Sequence, residues 1–304
     1  MIHEYAAKLI ENIPCTIKNN KTIKTDLVLD GGIFNGSYLA GALYFLKEME
    51  KKNIINVERV SGVSVGAIVA FLYFIDELDL MTHLYNIVCS EFKTNYNLKI
   101  IKKLKTLLNC KIPSNICEKV NERLYITYYN IKKGKKIVKK KYKSIDDILN
   151  TIIKSCFIPY LIDGTLLYKN KYIDGINPYI FNLEKDKKIL YLDLCGYDKI
   201  WHLLNIKNEK TNHHRILSGL LDIHNFYIKQ SSTNMCSYVN DWSIINNTTY
   251  YFKKMIEKIF VYIVYIIMYL KKYIPIEIQH GVFYKIISKI FIETFIILLD
   301  TYCM

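Results

Sequence analysis

A serine flanked by glycines is the feature of this sequence with the clearest chemical meaning. Residues 61–66 read Ser-Gly-Val-Ser-Val-Gly, with Ser64 as the central hydroxyl. Residues 57–60, bounded by valines, predict a buried strand before the motif, and the apolar residues 67–74 predict a buried helix after it. In this context the serine hydroxyl is presented at the end of a sheet, beside the positive end of a helix dipole. The pattern also fits a tight strand-to-helix connection without catalysis.

The two glycines of the motif have a steric purpose. The turn holds the serine in a strained backbone conformation. A side chain at Gly62 or Gly66 would collide with the neighbouring strand and helix. A nucleophilic Ser64 therefore predicts that both positions need glycine.

A glycine-rich loop precedes the serine by one predicted helix and one predicted strand. Residues 30–36 read Asp-Gly-Gly-Ile-Phe-Asn-Gly, between a predicted parallel strand at 26–29 and a predicted helix at 37–51. Free N–H groups in such a loop suit an anion. It could bind phosphate, although the glycine spacings of nucleotide-binding motifs are absent. We favour an oxyanion hole for Ser64, because one βαβ unit places both loops at the same edge of the sheet.

This order of elements, followed by an Asp-Gly pair far downstream, resembles the patatin-like phospholipases. Residues 172–175 read Tyr-Ile-Asp-Gly, and residues 154–160 are similar to the helix end that leads to the family's aspartate. The resemblance covers residues 25–178. It implies an α/β three-layer fold with a mainly parallel central sheet, followed by a helical C-terminal region. It also implies that Ser64 is the nucleophile and Asp174 its general base.

The resemblance assigns further site residues. It implies oxyanion donors at Gly31, Gly32 and Ile33, and motif glycines at Gly36, Gly62, Gly66 and Gly175. Ile33 stands where the family often has a third glycine, Asn35 where it has a basic residue, and Ile176 where it has Gly or Ala. Because backbone N–H groups form an oxyanion hole, Ile33 is compatible with it when its side chain points away. The missing basic residue bears on rate more than on fold.

A second aspartate, Asp163, is also followed by glycine. We predict a hairpin of strands 164–168 and 171–173 with its turn at residues 169–170. Asp163 then lies at the first turn of the hairpin, where Asp-Gly is common for backbone reasons. Asp174 follows the second strand and faces the site in the family's topology, so we prefer it as the base.

The composition limits which cellular compartment and which classes of binding partner we expect. The 304 residues are 51% hydrophobic, and this length fits either one large α/β domain or a domain with a smaller appendage. A net charge of +14 predicts attraction to anionic surfaces. Without a familiar nucleic-acid motif, we expect a membrane and not nucleic acid. Eight cysteines without Cys-x-x-Cys pairs, and a segment 1–15 without a secretory pattern, predict an intracellular, cytoplasmic protein that associates peripherally with a membrane.

We divide the chain into four regions. They are a leader (1–24), a catalytic core (25–200), a helical extension (201–252) and a hydrophobic, basic tail (253–304). In the tail, residues 259–270 are apolar between lysines, and residues 282–299 carry charge on one face. Neither run fits the roughly 20 apolar residues of a spanning helix. A helical hairpin turned near Pro275 in a membrane interface and ordinary packing on the domain both fit this pattern.

The resulting hypothesis is a lipid acyl hydrolase of phospholipase A type that works through Ser64 and Asp174. The alternative is a weakly active or inactive protein of the same fold that binds lipid as a membrane-associated scaffold. His213, His214 and His224 lack the spacing of metal ligands, so we expect them to be solvated or packed. No metal or organic cofactor is expected.

Overall fold

The computed structural model describes residues 2–18, 22–108, 111–196, 198–207 and 209–273, with single helical positions between 286 and 301. The strands are β1 (Ile23–Leu29), β2 (Ile55–Gly62), β3 (Leu124–Asn130), β4 (Lys135–Lys139), β5 (Tyr172–Asp174), β6 (Lys188–Leu192) and β7 (Cys236–Tyr238). The helices are α1 (Ile2–Glu11), α2 (Cys15–Lys18), α3 (Gly36–Lys51), α4 (Val65–Ile75), α5 (Leu80–Asn95), α6 (Leu104–Leu108), α7 (Ile116–Val120), α8 (Ile145–Ser155), α9 (His213–Lys229) and α10 (Ile244–Tyr273). The predicted turn near Pro275 and most of the segment 282–299 lie outside the described residues.

The seven strands form one sheet with parallel strands at its centre. The order is β4-β3-β2-β1-β6-β7, and β5 also pairs with β3. The pairs β1–β2, β1–β6 and β2–β3 are parallel, whereas β4, β5 and β7 join antiparallel. The predicted α/β class with a mainly parallel centre is confirmed. Because β1 and β2 are parallel neighbours, the loops that follow them lie at the same edge.

The central strand β1 is buried on both faces. Leu27 and Leu29 join the large core that also contains side chains of α1, α3, α4 and α9. Val28 points the other way, into a smaller core with Tyr191 and Phe181. Helices thus flank the sheet and hold the ends of β1 and β2 in fixed positions.

The predicted hairpin before Asp174 is present only in part. Lys169 and Asn170 have φ angles of 49° and 58°, as the predicted tight turn requires. The strand predicted at 164–168 is wrong: only a single bridge joins Tyr168 to Tyr172. The strand β5 pairs with β3 instead, so Asp174 is carried by the main sheet.

The long helix α10 crosses the β3 and β5 side of the molecule. Its Val264 packs against Ile131, Leu166 and Ile173. The Tyr265 hydroxyl donates to the Ile131 carbonyl at 2.6 Å. The other side of α10 presents many exposed apolar side chains, although none of the described helices is long and apolar enough to cross a membrane.

Candidate active site

Ser64 occupies a strained turn between β2 and α4. Its φ of 53° and ψ of −129° lie outside the regions that non-glycine residues favour. Such strain costs on the order of 1–3 kcal/mol and is concentrated at functional sites. The Ser64 N–H donates to Ser155 Oγ at 2.9 Å, and this hydroxyl donates to the Thr127 carbonyl at 2.6 Å. Ser155, at the end of α8, therefore ties the turn to β3.

Glycines allow the backbones around Ser64 to approach closely. A Cβ at Gly62 would lie 2.6 Å from the Gly66 carbonyl oxygen, and a Cβ at Gly66 would lie 2.5 Å from the Asp30 carbonyl oxygen. A Cβ at Gly175 would lie 2.5 Å from the Thr127 carbonyl oxygen. These distances are shorter than van der Waals contact, so a side chain at any of the three would push the site apart. Gly36, at the start of α3, packs as closely, because its Cβ would lie 2.2 Å from a Val65 methyl carbon.

Asp174 ends β5 and is buried beside Ser64. The Ile176 N–H donates to Asp174 Oδ1 at 2.7 Å. Burial raises the pKa of Asp174 to about 6; the Ile176 N–H, the neighbouring Ser64 side chain and Lys136 act to lower this pKa, and the charge of Glu257 acts to raise it. A carboxylate that ionises near neutral pH and lies beside a serine hydroxyl is suited to accept its proton.

The glycine-rich loop lies against both groups. A Cβ at Gly31 would be 3.3 Å from Ser64 Cβ and 3.6 Å from the Ile176 carbonyl oxygen. The Gly31 N–H donates to Asp30 Oδ1 at 2.9 Å, so this N–H is already occupied. The N–H groups of Gly32 and Ile33 have no acceptor among the described residues. Of the three expected oxyanion donors, these two are open.

Two isoleucines near the site have left-handed backbones. The φ angles are 41° at Ile33 and 62° at Ile176, a region that β-branched residues rarely adopt. Both positions are departures from the family's sequence, where glycine fits without strain. The Ile33 side chain packs near Phe34 and Phe157, which compensates for part of its strain. Both isoleucines thus occupy a backbone conformation that glycine would adopt without strain.

Asn35 stands at the family's basic position and is completely buried. Its Oδ1 accepts from Arg215 at 2.6 Å, and its Nδ2 donates to the carbonyls of Leu194 and Lys199 at 3.1 and 2.9 Å. Arg215 belongs to α9, is itself fully buried, and pairs with Glu209 at 2.6 Å. The cation bonded to Asn35 therefore comes from α9. Sequence reasoning missed Arg215, although it is one of three arginines among 42 basic residues.

An apolar cavity opens beside Ser64. The space between its walls, including open solvent at its mouth, is about 670 Å³. Besides Ser64 it is lined by Ile33, Phe34, Val65, Ile68, Met81, Leu84, Tyr85, Val88, Leu98, Ile101, Leu104, Leu107, Cys156 and Ile158. Such a lining suits a hydrocarbon chain and offers few partners for a polar group.

The remaining candidates from the sequence lie in other environments. Asp163 accepts hydrogen bonds from Lys102 at 2.6 Å and from the Thr165 N–H at 3.0 Å. Burial alone would raise the pKa of Asp163, but these partners lower it below the usual value. His224 packs against Phe45 with 5.8 Å between ring centroids. Within the described ranges, no group of three or more His, Cys, Asp or Glu side chains could hold a metal ion.

Comparison with known proteins identifies the family that this sequence matches. Residues 27–176 match the family model described as patatin-like phospholipase. The omega-hydroxyceramide transacylase of Homo sapiens is 24% identical over 156 residues, covering 48% of this chain and 29% of the human protein. The transacylase of the same name from Mus musculus is 24% identical over 156 residues, covering 48% of this chain and 26% of the mouse protein. The chain spans less than a third of the length of either curated relative.

Proposed function

Since residues 27–176 of this chain form a patatin-like phospholipase domain, we propose that the protein is a lipid acyl hydrolase of phospholipase A type. One observation carries the proposal. Ser64, on its strained turn, lies beside the buried Asp174 carboxylate and lines an apolar cavity. The cavity supports an acyl chain as the bound part of the substrate, because hydrocarbon gains most from leaving water.

In the first half of the reaction the ester is cleaved. Asp174 accepts the Ser64 proton while Ser64 Oγ bonds to the ester carbonyl carbon. The carbonyl oxygen becomes an oxyanion, for which the open N–H groups of Gly32 and Ile33 are donors. The carbon–oxygen bond to the alcohol then breaks, and protonated Asp174 returns its proton to the leaving alkoxide. The product is an acyl ester on Ser64.

In the second half the acyl group is released. Asp174 accepts a proton from water, and the water oxygen bonds to the acyl carbon. The bond to Ser64 Oγ breaks, Asp174 protonates this oxygen, and a free fatty acid leaves. Asp174 therefore serves as base and acid in turn, and no histidine takes part.

Substitution of the dyad tests the proposal. We expect Ser64→Ala and Asp174→Asn each to lower kcat/KM for a fluorogenic lipid ester by at least roughly 1,000-fold. The double variant should be little worse than either single one, because the two groups act as a unit. The control is Asp163→Asn, which should keep most activity. A dead Asp163→Asn variant beside an active Asp174→Asn variant would reverse our assignment.

A covalent probe gives a second readout of the same site. A fluorophosphonate resembles the tetrahedral intermediate, so it requires both an activated serine and oxyanion donors. We expect peptide mapping to locate the label on Ser64 and nowhere else. A label on another residue would contradict the dyad.

Transacylation is a second candidate, supported by the name of the human and mouse relatives. The acyl-enzyme would be the same, but an alcohol of a second lipid would replace water as the acceptor. Product analysis separates the two reactions: with a long-chain alcohol present, a transferase forms a new ester, whereas a hydrolase continues to release fatty acid.

An inactive lipid-binding scaffold is the alternative from another class. The strain at Ile33 and Ile176 and the loss of a basic residue at Asn35 support it. It would be indicated by vesicle binding without turnover and without fluorophosphonate labelling.

We further propose an anionic membrane surface inside the cell as the place of action. The net charge of +14 and the exposed apolar side of α10 support membrane binding. The described cysteines, which are Cys15, Cys89, Cys117, Cys156, Cys195 and Cys236, are free thiols and fit a reducing compartment.

A further inference from the structure

A buried lysine of α10 reaches the start of the glycine-rich loop. Lys253 Nζ lies 2.9 Å from Asp30 Oδ2 and 2.7 Å from Asp193 Oδ1. Asp30 uses its other oxygen to accept the Gly31 N–H, and Asp193 accepts the Cys195 N–H at 2.7 Å. A single ammonium group therefore joins the chain segments that leave β1 and β6.

One helical turn further along α10, Glu257 reaches the loop that carries the base. It accepts hydrogen bonds from Asn177 Nδ2 at 2.6 Å, from the Tyr129 hydroxyl and from Lys136 Nζ at 2.8 Å. Asn177 also donates to the Lys253 carbonyl at 3.2 Å. Because Asn177 is three residues after Asp174, these bonds fix the turn that follows the base.

The two charged residues are not needed for α10 to pack. Val264 and its neighbours already bury an apolar surface against the domain, whereas burying charged groups is unfavourable unless each finds a partner. Lys253 and Glu257 lie at i and i+4, so they share one face of the helix and point at loops on either side of Ser64. Both lie outside the residues 27–176 that match the family model.

We propose that Lys253 and Glu257 are positioning residues of the active site. Lys253 orients the oxyanion loop through Asp30, and Glu257 orients the base loop through Asn177. This inference rests on the proposed function, and it makes α10 part of the catalytic unit.

The first test replaces the lysine. Lys253→Met should lower kcat about 10- to 100-fold, because small displacements of catalytic groups are costly, with KM for a short-chain ester nearly unchanged. Lys253→Arg should recover part of the loss. The matched control is Lys258→Met, which removes the same charge from an exposed position of the same helix and should leave kcat unchanged. Thermal unfolding of each variant identifies any loss of fold.

The second test uses the nearly isosteric substitution Glu257→Gln. It measures the pH dependence of kcat/KM, which a change in packing alone would not shift. The groups that act on Asp174 are the Ser64 hydroxyl, Lys136 and Glu257, with the Cys156 thiol beside it. Glu257→Gln removes the negative charge that raises the pKa of Asp174, and it leaves Lys136 without this ion-pair partner. The pKa of Asp174 should therefore fall, and the acidic limb of kcat/KM should move to lower pH. Glu118→Gln, on the short helix α7, is the control and should not move it.

The outcomes separate the two proposals. Wild-type protein without Ser64-dependent turnover or labelling would overturn the proposed function, and this inference with it. If the wild-type protein is active, either of two results would overturn this inference alone. In the first, Lys253→Met behaves like Lys258→Met; in the second, Glu257→Gln leaves the acidic limb of kcat/KM in place.

Discussion

Asp174 is subject to opposing effects that set the pH at which the proposed dyad works. Burial raises its pKa, the Ile176 N–H and the neighbouring Ser64 side chain lower it, and the net value is about 6. A general base acts in its ionised form, so kcat/KM should fall below this pH by about tenfold per unit. The measurement is a pH–rate profile with an ester that does not ionise. A profile that stays flat to the ordinary aspartate pKa would remove Asp174 as the base.

The same shift predicts the stability of Asp174→Asn. A folded pKa above the model-compound value of 3.8 means that the contribution of Asp174 to stability is present at low pH and lost as pH rises through about 6. Asparagine does not ionise, so Asp174→Asn should be more stable than wild type well above this pH, by up to about 3 kcal/mol. Urea unfolding at an acidic and an alkaline pH measures the difference, which should vanish at the acidic one.

The left-handed isoleucines predict a stabilising substitution. Ile176 is not among the side chains that form the apolar cores, so Ile176→Gly removes its strain at little cost in packing. We expect a gain of about 1 kcal/mol, after the entropy cost of glycine is subtracted. Ile33→Gly is the matched comparison: it relieves similar strain but loses packing against Phe34, so its gain should be smaller or absent. Denaturant unfolding measures both.

At the scale of elements, α9 is attached to the glycine-rich loop through Arg215. Arg215→Met would leave Glu209 and Asn35 without their main partner, and breaking a buried ion pair costs about 3–5 kcal/mol. The control is Lys229→Met, an exposed cation at the end of the same helix, which should change stability by less than about 0.5 kcal/mol. Equal effects in urea unfolding would show that the Arg215 network does not hold α9.

The elements that the sequence could predict are those with local signals. The Ser144 side chain caps α8 by accepting the Asp147 N–H at 3.2 Å, as the short motif indicates. The order β1, loop, α3, β2, Ser64, α4 follows from hydrophobic spacing and glycines that lie next to one another in the chain. What depends on distant partners could not be predicted. Lys253 and Asp30 are 223 positions apart in the sequence. The pairing of β5 with β3 likewise joins distant segments, and no local sequence pattern predicts it.

The three arginines are informative positions that the total count of basic residues hides. In a chain whose basic residues are nearly all lysine, Arg59, Arg123 and Arg215 each make several directed bonds. Arg59 binds Asp26 and Glu184, and Arg123 donates to two backbone carbonyls. The planar fork of arginine suits such sites and lysine does not replace it. The three arginines of this lysine-rich chain therefore mark multiply bonded positions, and Arg215 among them is fully buried.

For the whole molecule, α10 links the catalytic loops to the surface. Removing the chain after Tyr250 would remove Lys253 and Glu257 together with the apolar side of the helix. A truncation therefore cannot separate membrane binding from catalysis. Substitutions confined to the exposed side of α10 keep the inner bonds and make this separation possible.

Such substitutions test how the protein binds a bilayer. Tyr262, Ile266 and Tyr269 follow one another along α10 at helical spacing and are 69%, 57% and 61% exposed. The test variant changes all three to Asn, and the control changes three exposed apolar residues of α9, which are Leu217, Leu221 and Ile228. Inserting three such side chains should contribute roughly 3 kcal/mol, so the α10 variant should bind anionic vesicles about 100-fold more weakly. The α9 variant should bind as wild type does.

Lysines contribute about 1 kcal/mol each near an acidic bilayer, and salt screens only this electrostatic contribution. Binding that high salt abolishes in wild type, with no loss in the α10 variant, would mean that lysines alone attach the protein and that the apolar side of α10 faces another partner.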